Sequence, residues 1–292
     1  MNYSIHNEFL TVSADEFGAQ LSSIRDNEGI EYLWQGDEKY WADRALNLFP
    51  YVARLYNGEY ILDGQAFNMD IHGFAPYMNF KHNKLSDSCM EMSLSDNEET
   101  MKQFPRKFCF TIRYALEGKT LKVTFNVENR DEKAMYFGLG GHPGFNVPLI
   151  EGTEFNDYRL RFSNKCTPTR FGFTDNSLLN GKDEPFALID DSILPLSHSM
   201  FDNDAIVLRD MAKAVTLECD GDPHSVTVSF PGMDFLGFWH WPQKDAPYVC
   251  IEPWCTLPSV KDEITVFERK KDLLKLDIGE KYSNTWTITI NN

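Results

Sequence analysis

The sequence predicts an all-β fold, one large antiparallel sandwich, on three observations. Apolar and polar residues alternate with period two in four separate stretches, long helix-period stretches are absent, and turn residues recur without a long Gly-, Ser- or Pro-rich linker. The chain has 292 residues, more than a usual domain, but β sandwiches reach this length as one unit, so a single domain over residues 1–292 is expected. Hydrophobic residues make up 42% and aromatics 14%, with 22 Phe, 12 Tyr and 6 Trp, which is ample for a large core. Flat side chains in such number suit strands, and they also line ring-binding clefts.

The strand signals follow in chain order. Asp63-Gly64, between EYIL and QAFNM, has the composition of a two-residue hairpin turn. FCFTIRYAL sends Phe108, Phe110, Ile112 and Tyr114 to one face. KTLKVTFNVEN does the same with Leu121, Val123, Phe125 and Val127, while Lys122, Thr124, Asn126 and Glu128 face the other way. HSVTVSF contributes Val226 and Val228, and the C-terminal TWTITI contributes Trp286, Ile288 and Ile290. No repeat period or low-complexity tract stands out, and half-buried strands of this kind bury their apolar faces by packing sheet against sheet.

Charge narrows the partners. Lys plus Arg number 28 against 44 Asp plus Glu, a formal net charge of −16, and no run of cations occurs, which argues against nucleic acid. The opening MNYSIHNEFLTVSADEFG has no basic start followed by an apolar stretch, and no run of about 18 apolar residues occurs. The expectation is a cytoplasmic protein with no membrane partner, as a monomer or homodimer. Cys89, Cys109, Cys166, Cys219, Cys250 and Cys255 are scattered, as reduced core thiols are. Cys250 and Cys255 share one segment but lack a second such pair, and the chain has no HxH, so neither a zinc site nor a cupin-like metal centre is predicted. No cofactor is expected.

Three short motifs carry chemistry: HGFAP around His72, GGHPGFN around His142 and CIEPWC around Glu252. Glycine beside histidine lets backbone or ligand approach closely, and the proline that follows stiffens it. Imidazole titrates near neutrality, and a carboxylate in apolar surroundings is pushed up toward the same range, so the two types make an acid and base pair. Blander readings stand beside these. His72 fits a core histidine satisfied by backbone, and Glu252 fits an edge-of-sheet carboxylate facing solvent. Alternation along VCIEPWC puts Cys250 and Glu252 on one face, Pro253 keeps Glu252 out of the helical region, and Trp254 restricts water beside it.

Taken together, these motifs resemble the aldose 1-epimerase (galactose mutarotase-like) family, in its shorter bacterial, LacX-like branch. The resemblance runs from LWQGDEKYW near Trp34 through LFPYVARLYNGEY, HGFAP, GGHPGFN and DNDAIVL to WHWPQKDAPYVCIEPWC. It implies the galactose mutarotase-like supersandwich, a small aldose as partner, Glu252 as catalytic base, and His72 and His142 as the active-site histidines. It also implies Arg54 and Asp204 as ligands of sugar hydroxyls, although Asp202 fits the same parity. Trp34, Phe74, Trp239 and Trp241 are candidates to stack beneath a pyranose ring, yet each is also an ordinary core candidate, and core is the expected place for at least half of them.

The implied reaction interconverts the α and β anomers of a free hexose by acid and base ring opening. Two alternatives remain. A hexose-6-phosphate 1-epimerase needs more cations, with Lys81, Lys84, Arg106 and Arg170 available, and a non-catalytic sugar-binding or sensing protein has no need of a matched acid and base. HGFAP, the shorter loops and WHWP differ from the galactose-specific enzymes, so galactose preference is not implied.

Overall fold

The computed structural model describes residues 1–292. Two large antiparallel sheets carry the fold. The first has nine strands in the order Ile193–Pro195, Tyr158–Phe162, Ala214–Cys219, Ser225–Ser229, Lys281–Asn291, Thr120–Asn129, Phe108–Glu117, Cys89–Ser95 and Lys81–Ser86. The four alternating stretches lie side by side at its centre, and in each the apolar set is buried while the intervening residues are not fully so. That is the pattern of strands with one face on a core.

The second sheet has seven strands in the order Glu184–Pro185, Thr169–Arg170, Ile206–Arg209, Phe235–Trp239, Tyr248–Trp254, Gly140–Asn146 and Ala45–Leu48. It differs in that its central strands are covered on both faces. Leu236, Phe238, Val249 and Ile251 face the main core, shared with the nine-stranded sheet. Leu46, Leu48, Val207, Tyr248, Cys250 and Trp254 face the other way, in a second apolar cluster with Trp34 and Trp41. A strand buried on both faces reads as a continuous apolar run rather than an alternation, and every residue of Tyr248–Trp254 is buried.

The sheets meet closely. A Cβ on Gly141 would come within 2.6 Å of the Trp286 ring, so this position has room only for hydrogen. Asn47 Nδ2 crosses the core to donate to the Tyr114 hydroxyl at 3.0 Å. Smaller sheets close the flanks: Asn2–His6 with Leu10–Asp15 and Leu21–Asp26, and the Asp63-Gly64 hairpin of Glu59–Leu62 and Gln65–Asn68. Both hairpin residues have positive φ, 51° and 74°, as a type I′ turn requires. The single α-helix, Glu98–Gln103, is capped by Asn97, whose side chain accepts from the N–H groups of Glu99 and Thr100. No helix is long and apolar enough to cross a membrane.

Candidate active site

The outer face of the seven-stranded sheet carries the titratable residues. Strand Gly140–Asn146 pairs Gly140 with Trp254 and Gly144 with Cys250, which sets His142 abreast of Glu252. Pro143 and Pro253 have no N–H to give, so the ladder slackens between those two pairs. His142 Nε2 stands 3.3 Å from Glu252 Oε2, and Glu252 is 1% exposed. On the opposite flank Gly237 is registered with Glu252, and a Cβ there would come within 3.3 Å of the Glu252 Cβ and the Trp254 ring, so glycine lets the strands pack closely at this point.

His72 arrives from a different element, the turn between the hairpin and a short 3-10 segment, Ala75–Tyr77. Its N–H donates to the Ala53 carbonyl at 3.0 Å, and the Ala53 N–H donates back to His72 Nδ1 at 3.1 Å. Because Nδ1 accepts, the neutral ring carries its proton on Nε2, and Nε2–H is free to donate. This exchange holds two non-glycine residues at positive φ, Ala53 at 58° and His72 at 66°. Strain of that kind persists only where the surroundings over-determine it. Gly73 follows at φ 73° against the Phe49 carbonyl, where a Cβ would come within 2.3 Å, so HGFAP tolerates only glycine there. The His72 and His142 rings meet edge to face, centroids 5.5 Å apart.

Burial dominates the electrostatics. It drives the Glu252 carboxyl well above the usual carboxylate range, and the negative charge of Asp204 adds to the effect. Burial also lowers His142, to about 3. His72 is held well below an ordinary imidazole by burial first, then by His142 and Arg54. Without ligand the pair therefore rests neutral, with one proton on Glu252 and an unprotonated His142 Nε2 facing it.

Arg54 projects into solvent from the loop after Ala53, with no ion pair or side-chain hydrogen bond. Asp204 and Asp202 separate clearly. Asp202 is exposed at the end of the turn His198–Phe201, its charge felt by His240. Asp204, half-buried at φ 74°, accepts from Trp239 Nε1 at 3.0 Å and from the Ser177 hydroxyl, and its charge reaches Glu252.

The aromatic candidates divide. Trp241 is 44% exposed and leads to Trp239, ring centroids 6.1 Å apart, and Trp239 meets His142 edge-on at 5.6 Å. Phe74 must be corrected. At 2% exposure it packs in the main core against Phe49 and Phe108, with no face left for a sugar. Trp34, 6% exposed, lies behind Trp41, donating its indole N–H to the Trp41 carbonyl and stacking on Tyr248, so it too offers almost no surface. Phe74→Ala is accordingly expected to cost about 3–5 kcal/mol of stability in chemical denaturation while leaving sugar affinity unchanged. A specific rise in sugar Kd without loss of stability would put Phe74 back in the binding site.

Three neighbours were not picked out from sequence. Trp41 lies over His142 at 4.8 Å, and its segment, LWQGDEKYW, is loop, where no periodicity marks a side chain's direction. Ser177 reaches Asp204 from a turn with no motif of its own. Cys250 lies beside His142 and Glu252, and the alternation that placed it on the face of Glu252 was the available signal. Four of the five remaining histidines have partners elsewhere: His82 stacks on Tyr3, His224 bonds Asp222, and His198 pairs with His240 at 3.2 Å, while His6 is exposed on the strand Asn2–His6.

Comparison with known proteins gives this arrangement a family. A model of the family described as aldose 1-epimerase matches residues 1–289. The chromosomal and plasmid LacX proteins of Lactococcus lactis subsp. lactis are each 33% identical over 301 residues, covering 100% of both chains. A galactose mutarotase related enzyme from Lactobacillus acidophilus superposes with a TM-score of 0.95 at 31% identity, over 100% of this chain and 98% of that one. A galactose mutarotase-like protein from Lactobacillus casei gives 0.94 at 29% identity, over 100% of both. With its galactose mutarotase-like fold and a family match over nearly its full length, the chain belongs to the aldose 1-epimerase family.

Proposed function

We propose that the protein interconverts the α and β anomers of a free hexose, with Glu252 and His142 as the proton-transfer pair. The observation that carries this reading is their 3.3 Å approach in a buried site with one proton to share. The C1 hydroxyl and the ring oxygen of a pyranose are bonded to the same carbon. An acid and a base in contact with each other are therefore spaced to serve both.

In the reaction Glu252 takes the C1 hydroxyl proton while His142 gives one to the ring oxygen. The bond from C1 to the ring oxygen breaks and C1 becomes an aldehyde. Rotation about C1–C2 presents the other carbonyl face, and the same groups run backward to close the ring. The resting proton must pass from Glu252 to His142 as sugar binds, across their existing contact, and no proton is lost to solvent. His72 Nε2–H donates to the ring oxygen or a neighbouring hydroxyl. Arg54 and Asp204 hold the other hydroxyls, with Asp204 already aimed by Trp239 and Ser177. General acid and base terms contribute about 10²- to 10⁴-fold each, and fixed orientation adds to them.

Free sugar is favoured over 6-phosphate by where the cations lie. Lys81 and Lys84 sit on the far edge strand of the nine-stranded sheet, and Lys84 pairs with Asp87. Arg106 is buried against Asp63 and the Ala134 carbonyl. Arg170 alone of the four shares the sheet of the site, which leaves Arg54 as a thin phosphate anchor. Anomer exchange followed by NMR is expected to accelerate for glucose or galactose and not for their 6-phosphates. Acceleration confined to phosphates would move the activity to phosphosugars, and binding without any acceleration would make the protein a sugar sensor.

A further inference from the structure

We propose that His142, Cys250 and Glu252 also form an inhibitory binding site for a thiophilic divalent cation such as Zn²⁺, which excludes the sugar. An imidazole nitrogen, the Cys250 sulfur and a carboxylate oxygen lie within 4.8 Å of one another, all three residues buried. Their strands are adjacent, so sheet register rather than a flexible loop sets the spacing. Two ligands about 2.0–2.1 Å from a tetrahedral zinc stand roughly 3.3 Å apart. His142 Nε2 and Glu252 Oε2 already stand at 3.3 Å.

The donor set selects the metal. Thiolate and imidazole favour Zn²⁺ or Co²⁺, whereas Mg²⁺ and Ca²⁺ prefer oxygen alone. Thiolate and carboxylate together bring two negative charges, which a divalent cation cancels, so the occupied site buries no net charge. The surroundings of the cysteines point the same way. The thiols of Cys89, Cys109, Cys219 and Cys255 each meet a polar group outside the site, while Cys250, fully buried, faces only the pair and its apolar neighbours. Three protein ligands leave a fourth position open to water or a hydroxyl.

A bound cation occupies the lone pairs that Glu252 and His142 need for proton transfer, so metal and sugar compete. Metal binding does not depend on the proposed epimerase activity, although inhibition of turnover does. The test is a Co²⁺ titration of metal-stripped protein, followed by absorbance, with Zn²⁺ displacing Co²⁺. One equivalent is expected to produce a thiolate charge-transfer band, and excess hexose should raise the apparent Kd. Cys250→Ala should abolish the band and weaken Zn²⁺ at least about tenfold, Cys250→Ser should weaken it too, and Cys255→Ala should leave both unchanged. No band in the native protein, or a band lost in Cys255→Ala and kept in Cys250→Ala, would overturn the site whatever the enzymatic activity proves to be.

Discussion

Glu252→Gln is expected to lower kcat by about 10²- to 10⁴-fold while sugar binding persists. The substitution keeps the size of the side chain and its capacity to hydrogen-bond a hydroxyl, and removes only the ability to accept a proton. Burial holds the native carboxyl neutral, so exchanging it for a neutral amide costs little, and the variant should unfold at or near the native midpoint. Binding can be followed by tryptophan fluorescence, since Trp41 and Trp239 flank His142. A variant with native kcat would remove Glu252 from the role of base. One that loses sugar affinity as strongly as turnover would make it a ligand rather than a proton acceptor.

The second large effect is in the pH dependence. Burial raises Glu252 and lowers His142 to about 3, so across neutrality the free site holds one proton between the two. Below the His142 value a second proton is added and no base remains. Above the raised Glu252 value the single proton is lost and no acid remains. kcat/KM, which reports the free enzyme, should therefore form a wide plateau through neutral pH. Its acid limb comes from protonation of His142 and its alkaline limb from ionisation of Glu252. An ordinary pair gives the reverse assignment, with the carboxylate setting the acid limb and imidazole the alkaline one. The limbs belong to the coupled pair as a whole, so His142→Asn and Glu252→Gln should each disturb both. A fall in kcat/KM as pH rises through about 6.5 would contradict the neutral resting pair, because that is where an unperturbed histidine loses its proton.

How much was legible follows from how each part is buried. The central strands of the nine-stranded sheet have one face inside and one outside, so their alternation is plain, as in Leu121 to Val127. The central strands of the seven-stranded sheet hide both faces, and Gly140–Asn146 and Tyr248–Trp254 show almost no alternation of apolar with polar residues, only the parity that sets Cys250 and Glu252 on one side. What marks those two segments is their motifs instead, because a glycine or proline beside a titratable residue marks a place where backbone geometry is constrained. Motifs say which residues are special but not what they touch. The contact of His142 with Glu252 comes from strand register, and the placement of Asp204 rather than Asp202 from a left-handed backbone and the bond to Trp239. Phe74 misleads for the same reason: it stands in HGFAP beside His72, yet the turn through Gly73 sends its ring into the core.

The most direct test of the central claim is polarimetry of freshly dissolved α-glucose and α-galactose, with native protein and with Glu252→Gln in parallel. The account predicts that native protein speeds the decay of optical rotation to the same equilibrium value for at least one sugar, and that the variant does so by about 10²-fold less or worse. Native protein that binds the sugar yet leaves the decay at the spontaneous rate would contradict it.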